Sequence, residues 1–322
     1  MISIQVEEKA DPNWNKLLLR STTSSIYQTA EMGKHFENQG QKPLFLKFID
    51  QRGEIIGLLL LTTYSRFDNK GKKGKILKKV PGIKKLVYDW TYGPVVFNEE
   101  LFTEVYSTLG KFLLSNKCRI SGKTNPFQSG NPSALSKNFQ IIDWCTYFID
   151  LSKTKEEIYK KIDKHSGQKN IERSKNRGVQ IEEITENSLI DYVDLKNKTM
   201  SNLEKNIDIS DALRYWRLLK PVGYSGYLAK KDGIVLGGLM FSTFNKLIIE
   251  GGVVRSVEDF KNKLYSQDLI KWKIIEWGVE NSMKFYDLAG FNPHPQSKKE
   301  EGINRYKEKW GGEKRNYWLI KK

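Results

Sequence analysis

The chain has 322 residues, 39% of them hydrophobic and 12% aromatic, which is too long for one ordinary core and apolar enough to fill two. Its net charge of +16 favours polyanionic partners: nucleic acid, an anionic membrane surface or phosphorylated substrates. The two cysteines, Cys118 and Cys145, form no CxxC pair and the three histidines add no zinc spacing, so no metal centre is expected and both thiols are read as buried and reduced.

The opening MISIQVEEKADPNW is acidic and lacks the hydrophobic core of a signal peptide. The longest apolar run, Ile55 to Leu61, is interrupted by Gly57 and is too short to span a bilayer. A cytoplasmic chain able to visit the membrane surface is the expectation. Residues 24–40 carry a helical pattern around Ile26, Tyr27, Ala30 and Phe36. A hairpin follows over Phe48 to Tyr64, turning at Arg52-Gly53. The next segment, Arg66 to Lys85, holds nine Lys/Arg against one Asp and reads either as a solvated loop or as a phosphate-binding flap. A strand over 85–90 and a helix over 99–114 complete the first half.

Gln128 to Ser133 is turn-rich, and Trp144 to Leu151 reads as a strand across the junction. Thr154 and Glu157 fit a capping box that opens a helix running to about Arg177, with Gly178 at its C′ position. Helices are expected over 188–204 and 210–219. A second hairpin, Leu228 to Phe244, turns at Asp232-Gly233. A strand from Leu247 to Val254, a helix from Glu258 to Asn281 with an apolar stripe, and a strand from Phe285 to Leu288 follow. The order of elements is α+β. The two hairpins echo one another: in each, a second glycine, Gly57 or Gly237, follows the turn glycine by four residues inside the next strand. That shared spacing predicts a duplicated domain, divided as 1–147 and 148–322, with the last strand free to return to the first.

Four passages resemble the FemAB family of tRNA-dependent peptidyltransferases. They are Trp90-Thr-Tyr-Gly-Pro-Val-Val96, the basic Asn170-Ile-Glu-Arg-Ser-Lys-Asn-Arg-Gly-Val179, Tyr286-Asp-Leu-Ala-Gly290, and Gly302-Ile-Asn-Arg-Tyr-Lys-Glu-Lys-Trp-Gly-Gly312. The last is the most specific, and their order extends over nearly the whole chain. The resemblance implies two tandem GNAT-like domains (the acyl-CoA N-acyltransferase fold), each a mixed sheet flanked by helices. It also implies transfer of an aminoacyl group from aminoacyl-tRNA to an amine of a phosphate-bearing cell-envelope precursor, without a cofactor, by an expected monomer. Departures are Glu172 where the family often has Arg, the absence of a coiled-coil arm, and Lys34 standing two positions before the family's lysine.

The resemblance places Lys307, after Tyr306, near the transition state, where an ammonium would meet the oxyanion of ester aminolysis; Lys307 and Tyr306 are the catalytic candidates. The substrate-binding candidates are Arg214 and Arg217, whose planar forks suit phosphate, with Tyr92, Arg173 and Lys34. Asp287 is a candidate proton acceptor or a structural carboxylate. The segment Val254 to Lys261 has no glycine and carries Glu258 and Asp259, which argues against a CoA pyrophosphate there. The alternatives are an acyltransferase using another donor on a sugar or glycan amine, and a non-catalytic protein that binds RNA or a membrane surface.

Overall fold

Each of the two hairpins closes through a glycine in the left-handed region, Gly53 at φ +83° and Gly233 at +78°. The computed structural model describes residues 2–67, 86–116, 118–199 and 206–322. The basic segment beyond Phe67 and the end of the helix expected over 188–204 lie outside these residues. The chain divides into two compact units, Met1–Cys145 with Asn316–Lys322, and Thr146–Arg315. No helix among the described residues is long and apolar enough to cross a membrane.

The strands of the first unit are β1 (Ser3–Glu7), β2 (Lys42–Ile49), β3 (Ile55–Ser65), β4 (Leu86–Trp90), β5 (Val95–Val96), β6 (Arg119–Lys123) and the start of β7 (Gln140–Asp150). Those of the second are β8 (Gln180–Glu183), β9 (Tyr224–Lys231), β10 (Ile234–Phe244), β11 (Leu247–Arg255) and β12 (Phe285–Asp287); β13 (Glu313–Lys321) ends the chain.

Unit 1 runs β1-β2-β3-β4-β6, antiparallel except for the parallel pair β4 and β6, and β13 adds to β6 antiparallel. Unit 2 runs β8-β9-β10-β11-β12, again antiparallel except for its last pair, β11 and β12, and Phe148–Asp150 adds to β12 antiparallel. The two units therefore repeat one plan of pairing directions. The repeat extends to the defect in the ladder. Phe48 pairs with Gly57 and Ile49 with Ile55, so Ile56 bulges. Ala229 pairs with Gly237 and Lys230 with Val235, so Leu236 bulges. Both glycines also meet close neighbours: a Cβ on Gly57 would lie 3.0 Å from the Val95 carbonyl oxygen, and one on Gly237 2.6 Å from the Ser266 and Gln267 side chains.

Helix Phe102–Ser115 buries Phe102, Val105, Tyr106, Leu109 and Leu113 against β4 and β6 residues such as Tyr88 and Ile120. Helix Ser266–Glu280 buries Leu269, Ile270, Trp272, Ile274 and Ile275 in the core of unit 2. Two long helices expected from sequence are each broken. The first is helix Lys155–Lys161, one π turn at Lys164–Gln168 and helix Lys169–Asn176. The Thr154–Glu157 capping box opens it, and Asp163 accepts the amides of His165 and Ser166 at the break. The second is helix Val257–Lys261 and helix Ser266–Glu280, parted where Lys263 and Tyr265 turn to φ 52° and 58°.

Candidate active site

Strand β12 pairs with β11 over only three residues, Phe285–Asp287 against Leu247–Ile249. β11 continues to Arg255 along β10, whereas the chain leaves β12 through the turn 288–291. The site forms where they part. Asp287 is fully buried there, accepting the Thr146 hydroxyl and, at 2.9 Å, the Ala289 amide. These bonds give it a structural role, and its bond to the Ala289 amide braces that residue in the left-handed region at φ 62°.

Helix Lys298–Glu308 brings Lys307 to this turn; Ser297 caps the helix by accepting the Glu300 amide at 3.3 Å. The Lys307 ammonium donates to the carbonyls of Ala289 at 2.8 Å and Gly290 at 3.0 Å. Two of its three N–H bonds are thus directed, and the third meets no acceptor among the described residues. Desolvation in this half-buried position pushes the Lys307 pKa below the ordinary lysine value; Glu250 opposes that shift and Lys271 adds to it. One turn earlier, Asn304 donates to the Asn292 carbonyl at 2.9 Å, while its Oδ1 is buried with no hydrogen-bond partner among the described residues. An unused donor and an unused acceptor therefore stand three residues apart on one helix.

Behind Lys307 lies a buried charged cluster. Lys271 is 1% exposed, paired with Glu250, which also accepts the Tyr286 hydroxyl at 2.9 Å. The rings of Tyr286, Tyr306 and Trp310 surround the Lys271 ammonium at 5.7, 5.5 and 5.6 Å. Asp268 joins the second part of the cluster, binding Lys309 and, at 3.0 Å, the Asn170 amide. Burial and the two carboxylates, Asp268 and Glu250, push the Tyr306 phenol well above its ordinary pKa, so it stays protonated as a donor. An open groove of about 410 Å³, lined by Lys161, Asp163, Ser166, Arg305, Glu308 and Lys309, reaches this cluster from the surface. A smaller and more enclosed cavity of about 130 Å³, beside Trp310 and Gly311, lies away from Lys307 among Phe148, Asp150 and Ile158.

The start of helix Ser266–Glu280 is already occupied by an anion. Asp259 is fully buried; it accepts the Ser266 amide at 2.9 Å and pairs with the Arg255 guanidinium. A helix N-terminus that would otherwise attract a phosphate is filled by the chain's own carboxylate.

The other candidates are dispersed. Arg214 is exposed and pairs with Asp211 at 3.4 Å; Arg217 binds Glu186 at 2.6 Å. Both stand on helix Ile209–Leu219, whose Trp216 packs with Tyr192 and Leu228 rather than with the core that holds Trp310. Arg173 is exposed, 5.9 Å from the Tyr265 ring. Lys34 is exposed in unit 1 and pairs with Glu37 at 2.7 Å. Tyr92 is 3% exposed, inside unit 1 among the rings of Tyr27, Phe127 and Tyr317. Gln28 bridges the Leu60 amide at 2.7 Å and the Thr91 carbonyl at 2.8 Å in that same core. Sequence reasoning missed Glu250, Lys271, Asp268 and Lys309. One signal was present: Lys271 falls three and four residues before Ile274 and Ile275, on the stripe read as buried.

No model of a known protein family matches the sequence, and no curated protein matches it. Solved structures do match the fold. FemX aligns over 98% of this chain and 96% of its own, at 12% identity and a TM-score of 0.71. The C-terminal domain of a candidate lysylphosphatidylglycerol synthetase from Agrobacterium fabrum aligns over 96% and 90%, at 12% identity and a TM-score of 0.57. A tandem GNAT protein from the clavulanic acid biosynthesis pathway aligns over 100% and 98%, at 12% identity and a TM-score of 0.55. The likeness is one of fold: the chain is an α+β protein of the tandem GNAT type.

Proposed function

We propose that this chain is an N-acyltransferase that moves an aminoacyl group from aminoacyl-tRNA onto an amine of a phosphate-bearing cell-envelope precursor. The reading rests on one observation above all: a partly desolvated Lys307 ammonium fixed by two carbonyls with one N–H to spare. The acceptor amine attacks the ester carbonyl, and Lys307 donates to the oxygen as it gains negative charge. Collapse of the tetrahedral species forms the amide and breaks the ester C–O bond. The amine loses a proton and the ribose oxygen leaves with one, so no enzyme-bound acyl intermediate is needed.

Three further points favour this donor and acceptor. The sequence passages that resemble the FemAB family include the Lys307 segment, and the FemX fold extends over nearly the whole chain. Asp259 fills the helix end where a CoA pyrophosphate would otherwise lie. The net charge of +16 suits both a polynucleotide donor and a phosphorylated acceptor, for which Arg214 and Arg217 remain the exposed forks. The test offers the full chain charged tRNA and acyl-CoA separately, with amine acceptors, and follows amide formation by mass spectrometry. Transfer from tRNA, lost in Lys307→Met, supports the reading. Transfer from acyl-CoA alone, or equal rates in Lys307→Met, defeats it.

A further inference from the structure

Unit 2 carries a surface that the proposed chemistry leaves unused. β11 exposes Val253 on the same face as Arg255, two residues on. The short helix Val257–Lys261 exposes Val257 and Phe260, at 64% and 69% the most exposed large apolar side chains among the described residues. Val257 and Phe260 stand three positions apart on one short helix, neighbours on its surface rather than scattered single residues.

The surroundings say what kind. The Arg255 guanidinium stands 5.2 Å from the Phe260 ring. Arg177 donates to the carbonyls of Asn262, at 3.1 Å, and Lys263, and with Arg173 it flanks the Tyr265 ring at 5.8 and 5.9 Å. Lys261 and Lys263 are exposed beside them. Within this patch Asp259 is buried against Arg255, and the exposed Glu258 accepts from the Asn262 side chain, which leaves Arg173, Arg177, Lys261 and Lys263 as exposed cations.

We infer that this surface docks on an anionic lipid bilayer, with Val257 and Phe260 entering the headgroup boundary and Arg173, Arg177, Arg255, Lys261 and Lys263 facing lipid phosphates. The composition separates this from an RNA surface. Bases stack on aromatic rings, and here two of the three projecting side chains are valines, which offer no stacking face. It separates it from a protein docking face as well, since cations outnumber the exposed Glu258 along the rim. Asp259, paired with Arg255, accepts the Ser266 amide at the start of the helix that carries Asp268 and Lys271, so the patch adjoins the cluster behind Lys307. A bilayer contact here brings a lipid-borne acceptor close to the candidate active site, yet the docking itself rests on no assumption about the reaction.

The experiment uses the full chain and needs no turnover. Flotation with vesicles of phosphatidylglycerol and phosphatidylcholine is compared with phosphatidylcholine alone. Phe260→Trp supplies a reporter at the centre of the patch. Binding to the anionic vesicles only, a blue shift of the tryptophan reporter difference spectrum and its quenching by brominated acyl chains are the expected results. The Val257→Ser/Phe260→Ser double variant, with an unchanged circular dichroism spectrum, should lower partitioning by about tenfold or more. The inference is overturned if anionic vesicles are not bound, if the double variant binds them as well as the parent, or if a single-stranded RNA oligonucleotide and not vesicles moves the reporter signal.

Discussion

The Lys307 ammonium lies 2.8 Å from the Ala289 carbonyl oxygen, in a turn whose left-handed residue is itself pinned by Asp287. The lysine is aimed by backbone, and the backbone is aimed by a buried carboxylate. Side-chain disorder therefore contributes little to the position of the charge.

Removing that charge should be felt in the chemical step. Lys307→Met keeps the apolar stem and drops the donor. The expected loss is about 10²–10³ in kcat, the range for one oxyanion donor, with a native circular dichroism spectrum. Single-turnover measurement on charged tRNA checks it.

The alkaline limb of the pH profile should begin early. Desolvation holds the Lys307 pKa below the ordinary 10.5, and the proposed role needs the protonated form. Turnover therefore falls as pH rises through a midpoint below 10.5. Stability moves the other way. The folded pKa lies below the unfolded one, so an unfavourable contribution is fully present below the folded pKa. It fades as pH climbs toward 10.5, where the unfolded chain still binds a proton that the folded one has released. Urea titrations of the wild type against Lys307→Met across that window should show the wild type gaining on the variant.

Breaking the Lys271–Glu250 pair from one side should cost more than removing both charges. Lys271→Met strands a buried carboxylate beside Tyr286 and is expected to destabilise by about 3–5 kcal/mol. The double variant with Glu250→Gln should lose less than the sum of the single losses, as a double-mutant cycle in urea will measure.

The paired glycines of the last motif answer to packing. Gly311 sits at φ +67°, and a Cβ there would lie 2.3 Å from the Lys161 carbonyl oxygen. Gly311→Ala should destabilise by about 2–4 kcal/mol. Gly302, in the helix that carries Lys307, has open space around it, so Gly302→Ala should stabilise by about 0.5–1 kcal/mol. Thermal melts of the two variants should shift in opposite directions.

The local signals were legible in the sequence because local physics makes them. Gly53 and Gly233 turn the hairpins, Gly178 closes its helix at φ +76°, and the Thr154–Glu157 box caps as its spacing requires. The helix breaks were not legible. Asp163 opens the π turn by accepting two amides, and Asp259, inside one short helix, accepts the amide that begins the next; a short carboxylate that accepts amides looks like any other helical acid until its partner is known. The charged cluster was hidden by distance along the chain. Asn170 meets Asp268 across 98 residues, and Lys309 meets Asp268 across 41. Lys307 stands in a motif that is local in sequence, whereas the charged groups around it come from β11 and helix Ser266–Glu280.

Lys271 sits behind three aromatic rings at 1% exposure, beyond the reach of mobile ions. Its influence on Lys307 is fixed when the chain folds and is barely screened afterwards. Raising ionic strength should then weaken only the capture of a polyanionic donor, so KM for tRNA climbs steeply while the single-turnover rate stays flat. A salt titration would in this way divide encounter from bond-making without altering a single residue.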